Sequence, residues 1–281
     1  MPPTWRRIRE VRRDLTDYLI HWTGAQKVDG SYLNAFQVLK RIIGCGYFKP
    51  GFGQRQRVTA YKTVLTVQGP NPVVCFTEQP LSSFITSCKT MSDRYRPYGV
   101  VINKSHLYKY GGRPAIYGDK HLLQLIPDDY KFLWVHYDPI PEPSLGNYPV
   151  DWSHEREWRA KVNPYHCAEL GLTPSDGVPL LLPPVFYPSA KNFVLSLPRF
   201  IVNTSAEATE LKAWIAGLPP YKGENGVLKR YFSELSKTLV IPLEEVEKHI
   251  ILGESRWERL ETLPYKEIDP SLSLPMPESY F

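Results

Sequence analysis

Val73-Val74-Cys75-Phe76-Thr77-Glu78-Gln79-Pro80-Leu81 passes from an apolar run directly into a helix-start signal. A short continuous apolar run bounded by turn residues reads as a buried strand. Thr77, Glu78 and Pro80 then supply a cap and first turn for a helix carrying Leu81, Phe84, Ile85 and Cys88. The next strand is Tyr98-Gly99-Val100-Val101-Ile102, followed by a short helix over residues 105–110. Strands that run straight into helices on both sides of this stretch predict an α+β fold.

Upstream, Tyr18-Leu19-Ile20-His21-Trp22-Thr23 reads as a short strand with polar residues at its end and Gly24 as its stop. Ser31 can cap a helix with Ala35, Phe36, Val38, Leu39, Ile42 and Ile43 on its apolar face, ended by Gly44 or Gly46. Before this, residues 4–16 space Trp5, Ile8, Val11 and Leu15 as an amphipathic helix among arginines. Residues 47–71 are aromatic, basic and without period, and read as a long surface excursion of the kind that forms lids or binding loops.

Downstream, Gly111-Gly112 turns the chain into Pro114-Ala115-Ile116-Tyr117, and residues 155–162 alternate Trp158, Ala160 and Val162 against Arg159 and Lys161 as a strand. The C-terminal part predicts strands at 178–182, 192–197 and 200–202. Thr204-x-x-Glu207 is a capping box opening a helix, and further helices fit 226–239 and 243–250. No clean linker interrupts the series. The expected organisation is one domain over residues 1–263, with a core at 14–163, C-terminal strands and helices at 164–263, and a Pro-rich tail at 264–281.

With 42% hydrophobic residues in 281 the chain can bury a sizeable core, and 27 prolines against 18 glycines favour loops of fixed φ over a disordered polymer. Cys45, Cys75, Cys88 and Cys167 form no C-x-x-C pair and lack the density of a disulfide scaffold. No run approaches the roughly 18 apolar residues of a membrane span. A reduced, cytoplasmic protein without a membrane partner is the expectation. The net charge of +5 is modest, but Arg6, Arg7, Arg9, Arg12 and Arg13 cluster, as do Arg55, Arg57 and Lys62. Of these, Arg6, Arg7, Arg12, Arg13, Arg55 and Arg57 are candidates to meet nucleic acid, and they equally suit a solvated face.

Four constellations can carry chemistry. His21 and Thr23 fall on one face at a strand end, where they could hold a sugar diol or a phosphate edge, and where His21 equally reads as a satisfied surface histidine. Glu155, Glu157 and Arg159 share a face by the same alternation, either as a salt-bridged surface or as the lining of a site, with Asp151 and His154 just upstream. The 75–80 junction offers a helix N-terminus that can take an anion, or Thr77 or Glu78 there simply caps the helix. Interleaved Arg94, Tyr95, Arg96 and Tyr98, with Tyr108, Tyr110 and Tyr117, suit stacking on a ring or an ordinary sheet face. P-loop, dinucleotide, zincin and nucleophile-elbow motifs are absent, and His154, His166 and Cys167 are too irregular for zinc, so no metal is expected.

The order LIHWT, VVCFTEQPLSSF, YGVVINKSHL, G-G-x-P-A-I-Y and HEREWRAKV resembles the AbiG-type abortive phage-resistance proteins over residues 14–163. More loosely it is similar to ADP-ribosyltransferase toxins of the DarT type, which begin with an H-x-T strand and reach a catalytic glutamate at the start of a later one. The resemblance implies a split mixed β-sheet core of ADP-ribosyltransferase type with flanking helices. It implies NAD as the substrate, a nucleic-acid or protein acceptor, and a cognate antitoxin as a partner. His21 and Thr23 would bond ribose and adenine-side groups, and Tyr98 or Tyr117 would stack on nicotinamide. Glu157, with Glu155 second, would stabilise the oxocarbenium-like transition state, and Arg159 would pair with the pyrophosphate or neutralise the glutamates. Where that family has an arginine near the second strand, this chain has Glu78 and Gln79. Two other readings fit the same residues. One is a non-catalytic, antitoxin-like or nucleic-acid-binding partner using the basic N-terminal helix. The other is a nucleotide- or RNA-cleaving enzyme with His21 and Glu157 as acid and base.

Overall fold

The computed structural model describes residues 16–28, 30–56, 63–92, 95–140, 149–169, 177–180, 185–187, 192–220, 226–258, 260, 263 and 271–274. The expected helix at 4–16 and the arginines at 6–13 lie outside these residues, apart from the end of that helix at Thr16.

Seven strands make the main sheet: β1 (Tyr18–Trp22), β2 (Val73–Thr77), β3 (Gly99–Asn103), β4 (Arg113–Pro114), β5 (Glu157–Lys161), β6 (Arg199–Val202) and β7 (Val240–Pro242). Their order is β7-β6-β3-β1-β2-β5-β4. All neighbours are antiparallel except β6 and β7. The first strand is therefore central, with one half-sheet on each side. Its two sides differ: β1 pairs with β3 through five residues, from Tyr18↔Asn103 to Trp22↔Gly99. With β2 it keeps the single registered pair Ile20↔Thr77.

Alternation sorts the side chains into two cores. One face carries Leu19, Val74, Phe76, Val100, Trp158, Ala160, Phe200 and Val202. It packs on Leu39 and Ile43 of helix α1 (Ala35–Cys45) and on Leu211 and Ile215 of a helix at Ser205–Ala216. The opposite face carries Ile20, Val101, Ile201 and Ile241, covered by Leu81, Phe84 and Ile85 of a helix at Leu81–Thr90 and by Leu243 and Val246 of Leu243–Ile251. Continuous apolar strands are what a sheet covered on both sides requires. The result is a mixed α+β fold with helices on both faces of a mixed sheet.

Helix starts show where local signals compete. The Thr204-Glu207 capping box forms with both of its bonds. Helix α1, however, is capped by Asn34 in a reciprocal box with Gln37, and Ser31 instead sits in the strand Ser31–Leu33. An Asn with Gln three residues on satisfies two orphan N–H groups, which Ser31 alone cannot do. Gly46, at φ 77, ends the helix. Thr77 and Glu78 do not cap Leu81–Thr90 either, because its N-cap is Pro80 with no side-chain bond.

The 47–71 excursion is only partly superficial. Phe48 and Val67 are buried, Tyr47–Phe48 pairs with Val178–Pro179, and Gln54–Gln56 pairs with Thr63–Leu65. Within the expected tail, Ser271–Leu274 pairs with Asn192–Ser196, and its Ser-Leu-Ser-Leu alternation has the period a strand needs. No helix among the described residues is long and apolar enough to cross a membrane.

The Tyr98-Gly99 pair has a steric reason. A Cβ on Gly99 would sit 2.9 Å from the His21 carbonyl oxygen and 3.0 Å from Ile20 Cγ2. Gly99→Ala is expected to cost about 1–3 kcal/mol by overpacking the β1–β3 ladder, measurable by urea unfolding. An unchanged midpoint would show that β1 moves freely against β3.

Candidate active site

Strand β5 begins beside β2 in the register Glu157↔Thr77, Trp158↔Phe76 and Arg159↔Cys75. Directly opposed residues share a face, so Glu157, Arg159, Cys75 and Thr77 lie together with Ile20. Arg159 is almost wholly buried. Its Nε and one terminal nitrogen bond the two Glu157 carboxylate oxygens at 3.0 and 3.2 Å. Its other terminal nitrogen donates to the carbonyls of Phe132 and Trp134 at 2.7 and 2.9 Å. The guanidinium thus neutralises Glu157 and ties β5 to residues 132–134, and every nitrogen of it is engaged. It is not placed to hold a pyrophosphate.

Glu155 does not continue the strand. It ends a single 3-10 turn, Ser153–Glu155, and Arg156 then takes the left-handed conformation at φ 45 and ψ 51. The expected alternation of Glu155 with Glu157 is broken there. Even so, both glutamates act on the same neighbours: each carboxylate disfavours ionisation of Cys75 and of Tyr117. Burial, foremost, and then the Glu157 charge push the Cys75 thiol pKa up and disfavour its thiolate, although Arg159 opposes this. The Tyr117 hydroxyl accepts the Glu157 backbone N–H at 2.8 Å, and burial is the main cause that pushes its pKa up to about 12. Tyr95, buried, donates its hydroxyl to the Glu155 carboxylate and packs on Trp22, ring centroids 4.5 Å apart.

Two carboxylates, two tyrosine hydroxyls and a buried guanidinium therefore meet at the head of β5. Glu157, Glu155, Arg159 and Tyr117 of the expected site residues are brought together. Three others are not. His21 lies on the opposite face, its ring 4.7 Å from that of Phe48 and 5.7 Å from that of Phe76. Its Nδ1 donates to the Cys75 carbonyl at 2.8 Å, at the place where β1 and β2 stop pairing. Burial, only partly offset by that bond, lowers its pKa to about 4. Thr23 is buried and its hydroxyl donates to the Ala35 carbonyl at 3.1 Å, joining β1 to helix α1. Tyr98 packs on Phe36 and donates to Glu207 at 2.7 Å. His21 and Glu157 do not face one another, which removes the geometric basis for an acid–base pair made of them.

Residues 94 and 57 fall outside the described residues, and Arg55 lies on the strand Gln54–Gln56. Sequence reading placed Trp22, Cys75 and Gln79 in separate constellations and not with Glu157. Only the β2–β5 register puts Cys75 beside Glu157, and no spacing rule carries that. Among the described residues no cluster of His, Cys, Asp and Glu could hold a metal ion. No family model matches the chain, and no curated protein or solved structure is significantly similar to it.

Proposed function

We propose that the chain is an ADP-ribosyltransferase that cleaves NAD at the glycosidic bond and passes ADP-ribose to a nucleic-acid or protein acceptor. The observation that carries this reading is the carboxylate pair at the head of β5, with Glu157 held at two oxygens by Arg159. Breaking the bond between C1′ and the nicotinamide nitrogen sends the electron pair to nicotinamide and leaves an oxocarbenium-like ribose. A fixed, partly dehydrated carboxylate stabilises that charge better than water does. Glu157 takes this role beside the ribose 2′-hydroxyl. Glu155 takes the proton of the acceptor nucleophile as it attacks C1′. Tyr117 is the tyrosine adjoining Glu157, where Tyr98 is not.

A second reading draws on the same pair. The Glu157 side chain is only 11% exposed and both oxygens are satisfied within the fold, as in a structural ion pair. This suits the non-catalytic partner protein, which would bind nucleic acid or an associated toxin rather than turn over NAD.

One experiment separates the two. Full-length protein with nicotinamide-labelled NAD should release nicotinamide, and Glu157→Gln should lower the rate at least about 100-fold while still melting cooperatively. Tm should rise with NAD. Absence of both turnover and any shift with NAD would leave the non-catalytic reading.

A further inference from the structure

Thr77, the last residue of β2, and the two residues after it grip three consecutive residues ahead of β5. The Thr77 hydroxyl donates to the Glu155 carbonyl. The Glu78 backbone N–H donates to the Arg156 carbonyl at 3.1 Å. The Gln79 side-chain amide donates to the His154 carbonyl at 2.8 Å. Thr77 is further locked because its hydroxyl oxygen accepts the Gln79 N–H at 3.2 Å. The Gln79 amide has one possible orientation, since flipping it would set two carbonyl oxygens against each other. Both Thr77 and Gln79 are 4% exposed, so water does not compete for these bonds.

The gripped segment is strained. Arg156 is the only non-glycine residue with positive φ among those described. Such a conformation persists where the surroundings over-determine it, and it collects at functional sites. Here the surroundings are the three bonds from residues 77–79, together with the Arg156 guanidinium 3.7 Å from Glu78. Glu78 is itself held by Lys104 at 2.7 Å and by the Trp158 indole at 2.9 Å. The left-handed residue also separates the destinations of the two carboxylates: Glu155 reaches Tyr95, while Glu157 opens β5 towards Arg159.

We infer that Thr77, Glu78 and Gln79 are positioning residues: they form a backbone clamp that holds Arg156 left-handed and so sets the relative placement of Glu155 and Glu157. Their catalytic consequence rests on the transferase reading above, whereas their mechanical consequence does not. Release of the clamp lets Arg156 relax to an ordinary conformation and turns Glu155 out of the cluster.

The test uses Thr77→Val, Thr77→Ser and Gln79→Met in the full chain, with amide hydrogen exchange and nicotinamide release as two readouts. Thr77→Val and Gln79→Met should speed exchange at least tenfold in the peptide covering 153–158, with peptides from β3 and β6 unchanged. They should lower kcat at least tenfold with KM within twofold, and Thr77→Ser should restore both. If Thr77→Val does not fold, Gln79→Met decides alone. Wild-type exchange in 153–158, a uniform rise across the protein, or a Thr77→Ser variant no better than Thr77→Val would overturn the clamp. Wild-type protein that releases no nicotinamide sinks the transferase reading, and the exchange data then judge the clamp by themselves.

Discussion

Arg159→Met is expected to destabilise the fold by about 3–5 kcal/mol, the range for removing one partner of a buried ion pair. The side chain is 4% exposed and Glu157 is 11% exposed, so the carboxylate left behind is poorly hydrated. The Phe132 and Trp134 carbonyls lose their donor as well. Methionine keeps much of the volume, so the loss reports the charge and its hydrogen bonds together rather than lost packing. Pairing it with Glu157→Gln should recover a large share, because a neutral amide costs far less to bury than an unpaired carboxylate. At this chain length Tm should fall by roughly 5–9 °C in the single variant. A cost below about 1 kcal/mol in urea unfolding would mean that the pair behaves as an exposed one.

His21 should impose an acid limb on stability. Its folded pKa is about 4, lowered by burial, against 6.5 for a free imidazole. Between those values the unfolded chain binds a proton that the native ring refuses. Unfolding then takes up a proton, and stability rises with pH across the window. The contribution is complete above pH 6.5 and is lost as pH falls towards 4, by about 3 kcal/mol at most. In His21→Phe this part of the dependence disappears, although the Cys75 carbonyl loses its donor at every pH. The readout is the difference between wild-type and variant unfolding free energies at pH 7 and pH 4.5. It should narrow by about 2–3 kcal/mol at the lower pH. A constant difference would mean that the ring protonates freely in the native state. The neutral ring also fixes the tautomer: Nδ1 carries the hydrogen bonded to Cys75, so Nε2 is left as an acceptor.

Most strands and helices were legible because their signals are local. Val73-Val74-Cys75-Phe76, Val100-Val101-Ile102 and the alternating EWRAK segment each state their period within a few residues. The Thr204-Glu207 box states its cap in the same way, whereas the end of α1 was readable only as Gly44 or Gly46, and Gly46 takes it. The 77–80 junction shows the limit of that reading. Thr77 and Glu78 have the chemistry of helix caps, and they serve instead as partners of a turn nearly eighty positions away. A hydroxyl or carboxylate bonds whichever group is nearest in space, and sequence supplies only the nearest group along the chain.

The candidate site divides along the same line. That a strand runs through Glu157 was readable from residues 155–162, and so was its proximity to Arg159 two residues on, whereas the strand starts at Glu157 and not at Glu155 as expected. Alternation also placed His21 on a strand end correctly. What alternation within one strand cannot give is the register between strands, and a shift of one residue sends every side chain to the other face. The pairs Ile20↔Thr77 and Glu157↔Thr77 set Glu157 on one side of the sheet, and His21 falls on the other. The left-handed Arg156 breaks the period just before β5. By itself, then, the sequence determined that two carboxylates and an arginine stand at the head of a strand in an α+β protein. Only the tertiary structure decided that Tyr95, Tyr117 and Cys75 surround them and that His21 does not, because inter-strand register and a strained turn are set by long-range packing and hydrogen bonds.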